Sequence, residues 1–432
     1  MWKADSVSGD LKRILSNTLW MIFDKVFLLI LNLVVTVKIA NYFGVLEYGN
    51  YQYAVSVVAI LEIFVTFVDG RVVKKRYITN DPDNLVYNAS ICRVIFSVGT
   101  AIIGLIFIVV AQRGTQFSVM FSILLINSIL VNLRFGMANR FEYLLKSKKT
   151  VIAADISALL SSILQLIAVR LQCSIITISV IAAISSGVNL CIVAIQYKTE
   201  FAKKGKFYLD KTLIKELIKE STPLAIAASC ATIYTRCDSV MLGSMMTAAE
   251  VGIYSISVKL ISVVQIAISP IRESVYPKLI TLHAKDKNEY AKRYVQISSL
   301  LTWIYICGVS LSFVVLPYAF RFLKPEYAEA FPVYRIHVIG TFFMYNAALR
   351  AGHYTLINRG SILTYSQIAS VIVNVILNIV GIKYLGMYGA ALATIVTQGL
   401  SLFLSNLAFG KEGREVFIWQ VKALNPLSMF DH

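Results

Sequence analysis

Residues 88–111 read NASICRVIFSVGTAIIGLIFIVVA, and Arg93 is the one charged side chain among them. A helix rises 1.5 Å per residue and a bilayer's hydrocarbon layer is about 30 Å thick, so about 20 apolar residues in helical form cross it. This stretch has the length and composition of a crossing. Windows of the same kind recur along the chain at 19–42, 48–69, 117–138, 151–170, 174–196, 222–243, 251–272, 295–317, 332–354, 363–382 and 388–409. The predicted fold class is therefore all-α integral membrane, with about twelve transmembrane helices. Of the windows, 151–170 carries Asp155 and 222–243 carries Arg236 and Asp238, which makes them the least apolar.

Whole-chain composition agrees. The 432 residues are 57% hydrophobic and only 15% charged, against about 25% charged in a soluble domain. Mean hydropathy is +0.69. The first 13 residues are polar, and no small-residue cleavage site follows the first apolar stretch, so that stretch is expected to be a retained helix. Net charge is +17, and its placement points to topology and not to nucleic acid. With the N-terminus inside, Lys and Arg crowd the connections 1–18, 70–87, 139–150, 197–221 and 273–294. The opposite side holds only Arg113, Arg170, Arg321, Lys324 and Lys383. This asymmetry is the signature of cytoplasmic loops, and it places both termini in the cytoplasm.

The longest inside loop falls between the sixth and seventh windows. The expected organisation is an N-terminal six-helix bundle (1–197), a basic cytoplasmic linker (198–221), a C-terminal six-helix bundle (222–410) and a cytoplasmic tail (411–432). An echo supports two halves: Glu47-Tyr48-Gly49-Asn50-Tyr51 and Glu250-Val251-Gly252-Ile253-Tyr254 both read E-x-G-x-Y at equivalent hairpins. Six crossings per half give both halves the same orientation, a parallel repeat.

Cations inside the windows carry the functional reading. A Lys or Arg at the bilayer centre costs about 2.5–3.5 kcal/mol. Lys38, Arg93, Arg272 and Arg335 lie near window ends, where their heads can snorkel to lipid headgroups. Lys25, Arg236 and Lys259 are deeper. Helical spacing places polar groups in stripes: Thr18, Lys25, Asn32 and Thr36; Ser229, Thr232, Arg236 and Gly243; Ser255, Lys259 and Ser262; Arg335, Asn346, Arg350 and His353; Gln367, Asn374 and Asn378. Two readings compete, polar glue between packed helices and a hydrated cavity lined by cations. The acids Asp24, Asp155 and Asp238 either neutralise neighbours, as Asp24 beside Lys25 would, or carry a coupling H+ or Na+. Zinc-peptidase, nucleophile-elbow, Walker A and dinucleotide motifs are absent, so an enzyme is not expected, nor a cofactor beyond a coupling ion. The six cysteines form no C-x-x-C pair and read as apolar filler.

Three stretches resemble a known family. They are Asn17-Thr18-Leu19-Trp20 through Ala40-Asn41-Tyr42-Phe43-Gly44 with Glu47-Tyr48-Gly49 and Tyr51; Tyr234-Thr235-Arg236-Cys237-Asp238-Ser239-Val240-Met241-Leu242-Gly243 with Glu250 to Ser255 and Tyr276-Pro277; and Tyr384-Leu385-Gly386-Met387-Tyr388-Gly389-Ala390-Ala391-Leu392-Ala393-Thr394. The chain is similar there to the polysaccharide flippases of the O-antigen type, within the multidrug/oligosaccharidyl-lipid/polysaccharide exporter superfamily. The resemblance implies the exporter-superfamily fold, a place in the bacterial inner membrane, and a lipid-linked oligosaccharide substrate. That substrate is a glycan repeat unit on undecaprenyl pyrophosphate, moved from the cytoplasmic to the periplasmic leaflet by alternating access. It further implies membrane lipids, a polysaccharide polymerase and chain-length proteins as partners, and a monomer. The cations suit a pyrophosphate, since guanidiniums bind phosphate by paired hydrogen bonds. Lys25, Arg134, Arg236, Lys259, Arg335 and Arg350 are the expected anionic-substrate site. A multidrug exporter of organic cations would want an acidic cavity instead. A membrane glycan polymerase would need longer outside loops than the 14 or so residues around Tyr318 to Phe331. A scaffold would have no use for costly buried cations.

Overall fold

The computed structural model describes residues 4–201 and 208–429, with side chains from residue 28 onward; Asp24 and Lys25 lie outside the described side chains. All regular elements among the described residues are helical. In order they are α1 (Ala4–Leu61), α2 (Gly70–Arg76), α3 (Pro82–Ala111), α4 (Thr115–Leu133), α5 (Phe135–Tyr143), α6 (Ser147–Arg170), α7 (Ile175–Glu200), α8 (Lys211–Met245), α9 (Ala248–Gln265), α10 (Ile268–Lys285), α11 (Lys287–Phe320), α12 (Ala330–Asn346), α13 (Arg350–Leu356), α14 (Gly360–Gln398) and α15 (Gly410–Lys422).

Eight stretches among the described residues are long and apolar enough to cross a bilayer. Two of them, Leu28–Arg76 and Gly360–Ala408, each take in all of one expected window and most of another. Each is two helices joined at one glycine outside the helical region, Gly44 in α1 (φ 73°) and Gly386 in α14 (φ 58°), and around Gly386 the chain folds back so that Gly381 and Gly389 meet backbone to backbone. Only glycine enters that region of φ without steric cost. The windows 222–243 and 332–354 fall on α8 and on α12–α13. The helix α8 contains Pro223 and carries charge at its start as well as Arg236 and Asp238, and α12 is only 17 residues long, so neither meets the same standard. Ile102, Ile106, Val109 and Val110 on α3, and Ile372, Ile376, Ile379 and Val380 on α14, are exposed. Such rows are a liability in water and suit acyl chains.

The chain divides into two compact units, Lys38–Gly252 and Ile253–His432 together with Met1–Val37. The boundary therefore does not fall in 198–221, and the reason is local. Residues Lys211 to Ser221 belong to α8, not to a linker. Asp69 donates its N–H to Ser221 Oγ (3.0 Å), Arg76 pairs with Glu216 at 2.8 Å and also with Glu220, and Leu213 and Leu217 join Val72, Val73 and Leu85 in one buried cluster. These contacts hold α8 to the first unit. The echo motif meets there too: a Cβ on Gly49 would fall 1.7 Å from Ala248 O, and one on Gly252 2.3 Å from Val45 O and 3.3 Å from Gly49 Cα. Glycine at both places is what allows the backbones to cross.

In the second unit, Leu301, Tyr305 and Tyr345 form one buried cluster and Leu279, Tyr290, Tyr294 and Leu349 another. The expected tail 411–432 is largely structured: α15 buries Val416 and Gln420 completely and sets Trp419 against Tyr294, with ring centroids 4.9 Å apart.

Candidate functional site

The site begins where a helix stops. Regular α1 ends at Leu61, a 3-10 turn follows over Glu62–Phe67, and Val68 is extended (φ −121°, ψ 98°). A helix end leaves carbonyls without intrahelical donors, and within a bilayer no water supplies them. Side chains of α3 do so instead. Arg93 donates from Nε (3.0 Å) and Nη2 (2.9 Å) to Val68 O and from Nη1 to Asn132 Oδ1 (3.1 Å). Thr100 donates to Leu61 O at 3.3 Å. The Arg93 guanidinium also lies over the Phe135 ring, 3.7 Å from its centroid, a favourable cation–π placement.

The broken turn, α3, α4 and α8 enclose a cavity of about 370 Å³ within the first unit. Glu62, Arg93, Asn132, Thr232, Thr235 and Arg236 give it its polar lining. Glu62 feels the charges of both Arg93 and Arg236. Arg93 also feels Asp69, but Asp69 is itself paired with Arg71, so the two guanidiniums leave an excess positive charge over Glu62 in a site of low dielectric, where it attracts anions far more strongly than in water. The hydroxyls of Thr232 and Thr235 and the Asn132 amide add neutral hydrogen-bonding groups. Arg236 lies on α8 one helical turn from Thr232, as the stripe on that helix predicts.

The other expected residues are dispersed. Arg134 lines a second cavity of the same unit, about 270 Å³, between α4, α6 and α7. Lys259 belongs to the second unit, with Nζ 3.4 Å from Asn32 Oδ1. Arg335 is exposed and Arg350 buried. Their predicted common stripe with Asn346 and His353 does not form, because helix register breaks between Asn346 and Arg350. Arg350 donates to Asn406 Oδ1 (2.7 Å), Ser366 Oγ (3.2 Å) and Ser405 Oγ (3.2 Å). Asn406 in turn accepts from Tyr354 (2.8 Å) and donates to Gln420 Oε1 (2.8 Å). Arg350 thus joins α13 to Ser366 on α14 and to Ser405 and Asn406, and through Asn406 to Gln420 on α15. Asn374 and Asn378 are also fully buried, bonded to each other at 3.1 Å, the polar-glue outcome.

Among the expected acids, Asp238 is 7% exposed and accepts a weak bond from Cys237 Sγ at 3.5 Å. Asp155 is half-buried on α6. Sequence reasoning finds Arg93 and Glu62 inside windows but does not assign them to the site. Arg93 looks close enough to a window end to snorkel, and the signal against that is the run of unsatisfied carbonyls that a break after Leu61 creates. Glu62 shares no helical stripe with the cations and joins them only through the 3-10 turn.

Comparisons with known proteins follow the same lines. The chain is similar in fold to an inward-facing MATE-family multidrug resistance transporter of the MOP superfamily, with TM-score 0.70, 12% identity, and 93% of this chain and 96% of that one covered. It is also similar to the lipid II flippase MurJ in an inward closed conformation (TM-score 0.69, 14% identity, 95% and 92% covered). A MOP-superfamily transporter from Pyrococcus furiosus aligns with TM-score 0.56 at 12% identity over 97% and 96% of the two chains. No curated protein sequence matches the chain. Residues 14–283 match the family described as polysaccharide biosynthesis protein, so this chain, with the MOP-superfamily fold, belongs to the polysaccharide biosynthesis protein family.

Proposed function

We propose that the chain is a flippase that carries undecaprenyl-pyrophosphate-linked repeat units of O-antigen or a related surface polysaccharide from the cytoplasmic to the periplasmic leaflet of the bacterial inner membrane, by alternating access. The observation that carries this reading is the cavity with Arg93 and Arg236 around Glu62. A pyrophosphate offers many acceptor oxygens and at least two negative charges, which two guanidiniums neutralise through paired hydrogen bonds. The surrounding hydroxyls and amide suit sugar hydroxyls, and the polyprenyl tail stays in lipid. An organic cation would be repelled by the same excess charge, which disfavours the multidrug reading.

Coupling is by antiport of H+ or Na+, with Asp155 and Asp238 the candidate groups. Glu62 neutralises the arginines in the empty site, and an entering phosphate competes with it. The protein itself performs no bond chemistry in this scheme.

Reconstitution into liposomes with a labelled lipid-linked oligosaccharide tests it, scoring leaflet transfer with and without a pH gradient. Arg236→Ala should abolish transfer while the protein elutes and unfolds like the wild type. Normal transfer by this variant would overturn the site, and transfer indifferent to the pH gradient would overturn the coupling.

A further inference from the structure

The second cavity of the first unit has a different chemistry. Its walls come from three helices: Asn127 and Val131 on α4 with Arg134 at its C-terminal cap, Ser157 and Ser161 on α6, and Ser185 and Asn189 on α7. Each pair on α6 and α7 is spaced i, i+4, so it presents two polar groups on one face. Ala158 and Ala182 keep the space open. Among the described residues, Asn127 Oδ1, Ser185 Oγ and Asn189 Oδ1 have no hydrogen-bond partner although they are buried, and Ser185 and Asn189 are only 6% and 7% exposed. A buried polar atom left unpaired costs about 1–3 kcal/mol, and native proteins normally satisfy such atoms with protein, water or ligand. Arg134 adds a positive charge to this lining. Glu142, whose charge it feels, is itself bonded to Lys74 at 2.9 Å. Val131 lines this cavity and the Arg93–Arg236 cavity alike, so the two lie on adjoining sides of α4.

The lining narrows what can bind. A metal cation would meet the amide oxygens but also the Arg134 guanidinium. A bare anion would satisfy Arg134 but has no donor for the amide oxygens. A sugar hydroxyl both donates and accepts, and a carboxylate matches a guanidinium. We propose that this cavity is a subsite for an acidic sugar of the uronic-acid class, its hydroxyls held by Asn127, Ser185 and Asn189 and its carboxylate by Arg134. The proposal rests on the reading of the chain as a carrier of lipid-linked glycans. It adds that the glycan bears a negative charge of its own beyond the pyrophosphate.

Saturation-transfer NMR on the purified full chain in detergent tests this, with glucuronate, glucose and inorganic phosphate as probes. Glucuronate should bind. Glucose should bind about tenfold more weakly, the usual worth of a hydrogen bond to a charged group. Arg134→Gln should bring glucuronate down to the glucose level, and Asn189→Leu should remove both. Ser185→Ala, which removes one group and little volume, serves if the Asn189 variant does not fold. Phosphate should displace glucuronate only at higher concentration. No glucuronate signal in the wild type, an unchanged signal in Arg134→Gln, or full displacement by equimolar phosphate would each overturn the subsite. Arg236→Ala distinguishes the two readings. It should stop leaflet transfer yet leave the glucuronate signal intact, whereas continued transfer with that signal intact strikes the pyrophosphate site alone.

Discussion

Arg93 and Arg350 are both arginines inside membrane-type windows, and the structure puts them to opposite uses. Arg350, 4% exposed, finds neutral oxygens on Asn406, Ser366 and Ser405, and these belong to a network closed by Tyr354 and Gln420. Arg93 gives two of its bonds to the carbonyl at a helix break and keeps a face on a cavity shared with Arg236 and Glu62. The cost of placing a guanidinium in the membrane is therefore no guide to function by itself. What separates the two residues is the supply of neighbouring acceptors. Where protein oxygens saturate the donors the cation is a clamp, and where space and a competing carboxylate remain it can exchange partners with a ligand.

That contrast can be broken most forcefully at Arg350. Arg350→Ala removes the hub of the network and leaves a cavity and several buried oxygens short of donors. The expected loss is about 3–5 kcal/mol, read as a large fall in unfolding temperature and in the yield of monodisperse protein. A variant that unfolds like the wild type but loses transport would instead place Arg350 with the substrate.

Arg93→Gln should cost less, about 1–2 kcal/mol, because the amide can still reach one acceptor. Unlike the Arg350 variant it should also reduce transfer per folded molecule, since the cavity loses one of its two guanidiniums. If transfer per folded molecule is unchanged, Arg93 is only the cap of the broken helix, and the distinction drawn here fails.

How much of this was legible beforehand follows from the length scale of each signal. Apolar windows and the Lys/Arg asymmetry report on about 20 residues at a time, and they foretold an all-helical membrane chain. The E-x-G-x-Y echo marked two glycines, and the structure brings Gly49 and Gly252 together within one unit. Tertiary detail was not available at that scale. Periodicity carried the stripe on window 332–354 straight through Asn346, where the backbone changes register. Basic composition made 211–221 look like a linker, although Leu213 and Leu217 at i, i+4 already marked a packed helical face. The polar tail concealed Val416, Trp419 and Gln420, whose spacing also matches one helical face. Charge alone pointed to Arg236 but not to Glu62, because a 3-10 turn does not follow the 3.6-residue period.

The smallest expected effect lies in the same part of the molecule as the largest. Arg359, just before α14, bonds Glu412 in the first turn of α15 at 3.3 Å, and both side chains are substantially exposed. The pair joins elements that the Arg350 network also joins, but in contact with solvent. Glu412 is held below its ordinary value of 4.5, chiefly because its carboxylate accepts its own backbone N–H and then because it accepts the Arg359 guanidinium. A depressed carboxylate stabilises the fold above its unfolded pKa, and that contribution disappears as pH falls through the folded value. Any loss should therefore appear only on acidification below about pH 4.5 and should be absent in Glu412→Gln. At neutral pH the variant should unfold within the scatter of the wild type, because exposed pairs trade Coulomb attraction against side-chain entropy and screening. A neutral-pH loss approaching that of Arg350→Ala would mean that the α15 seam is held from its rim, and that the buried hydrogen bonds matter less than their number suggests.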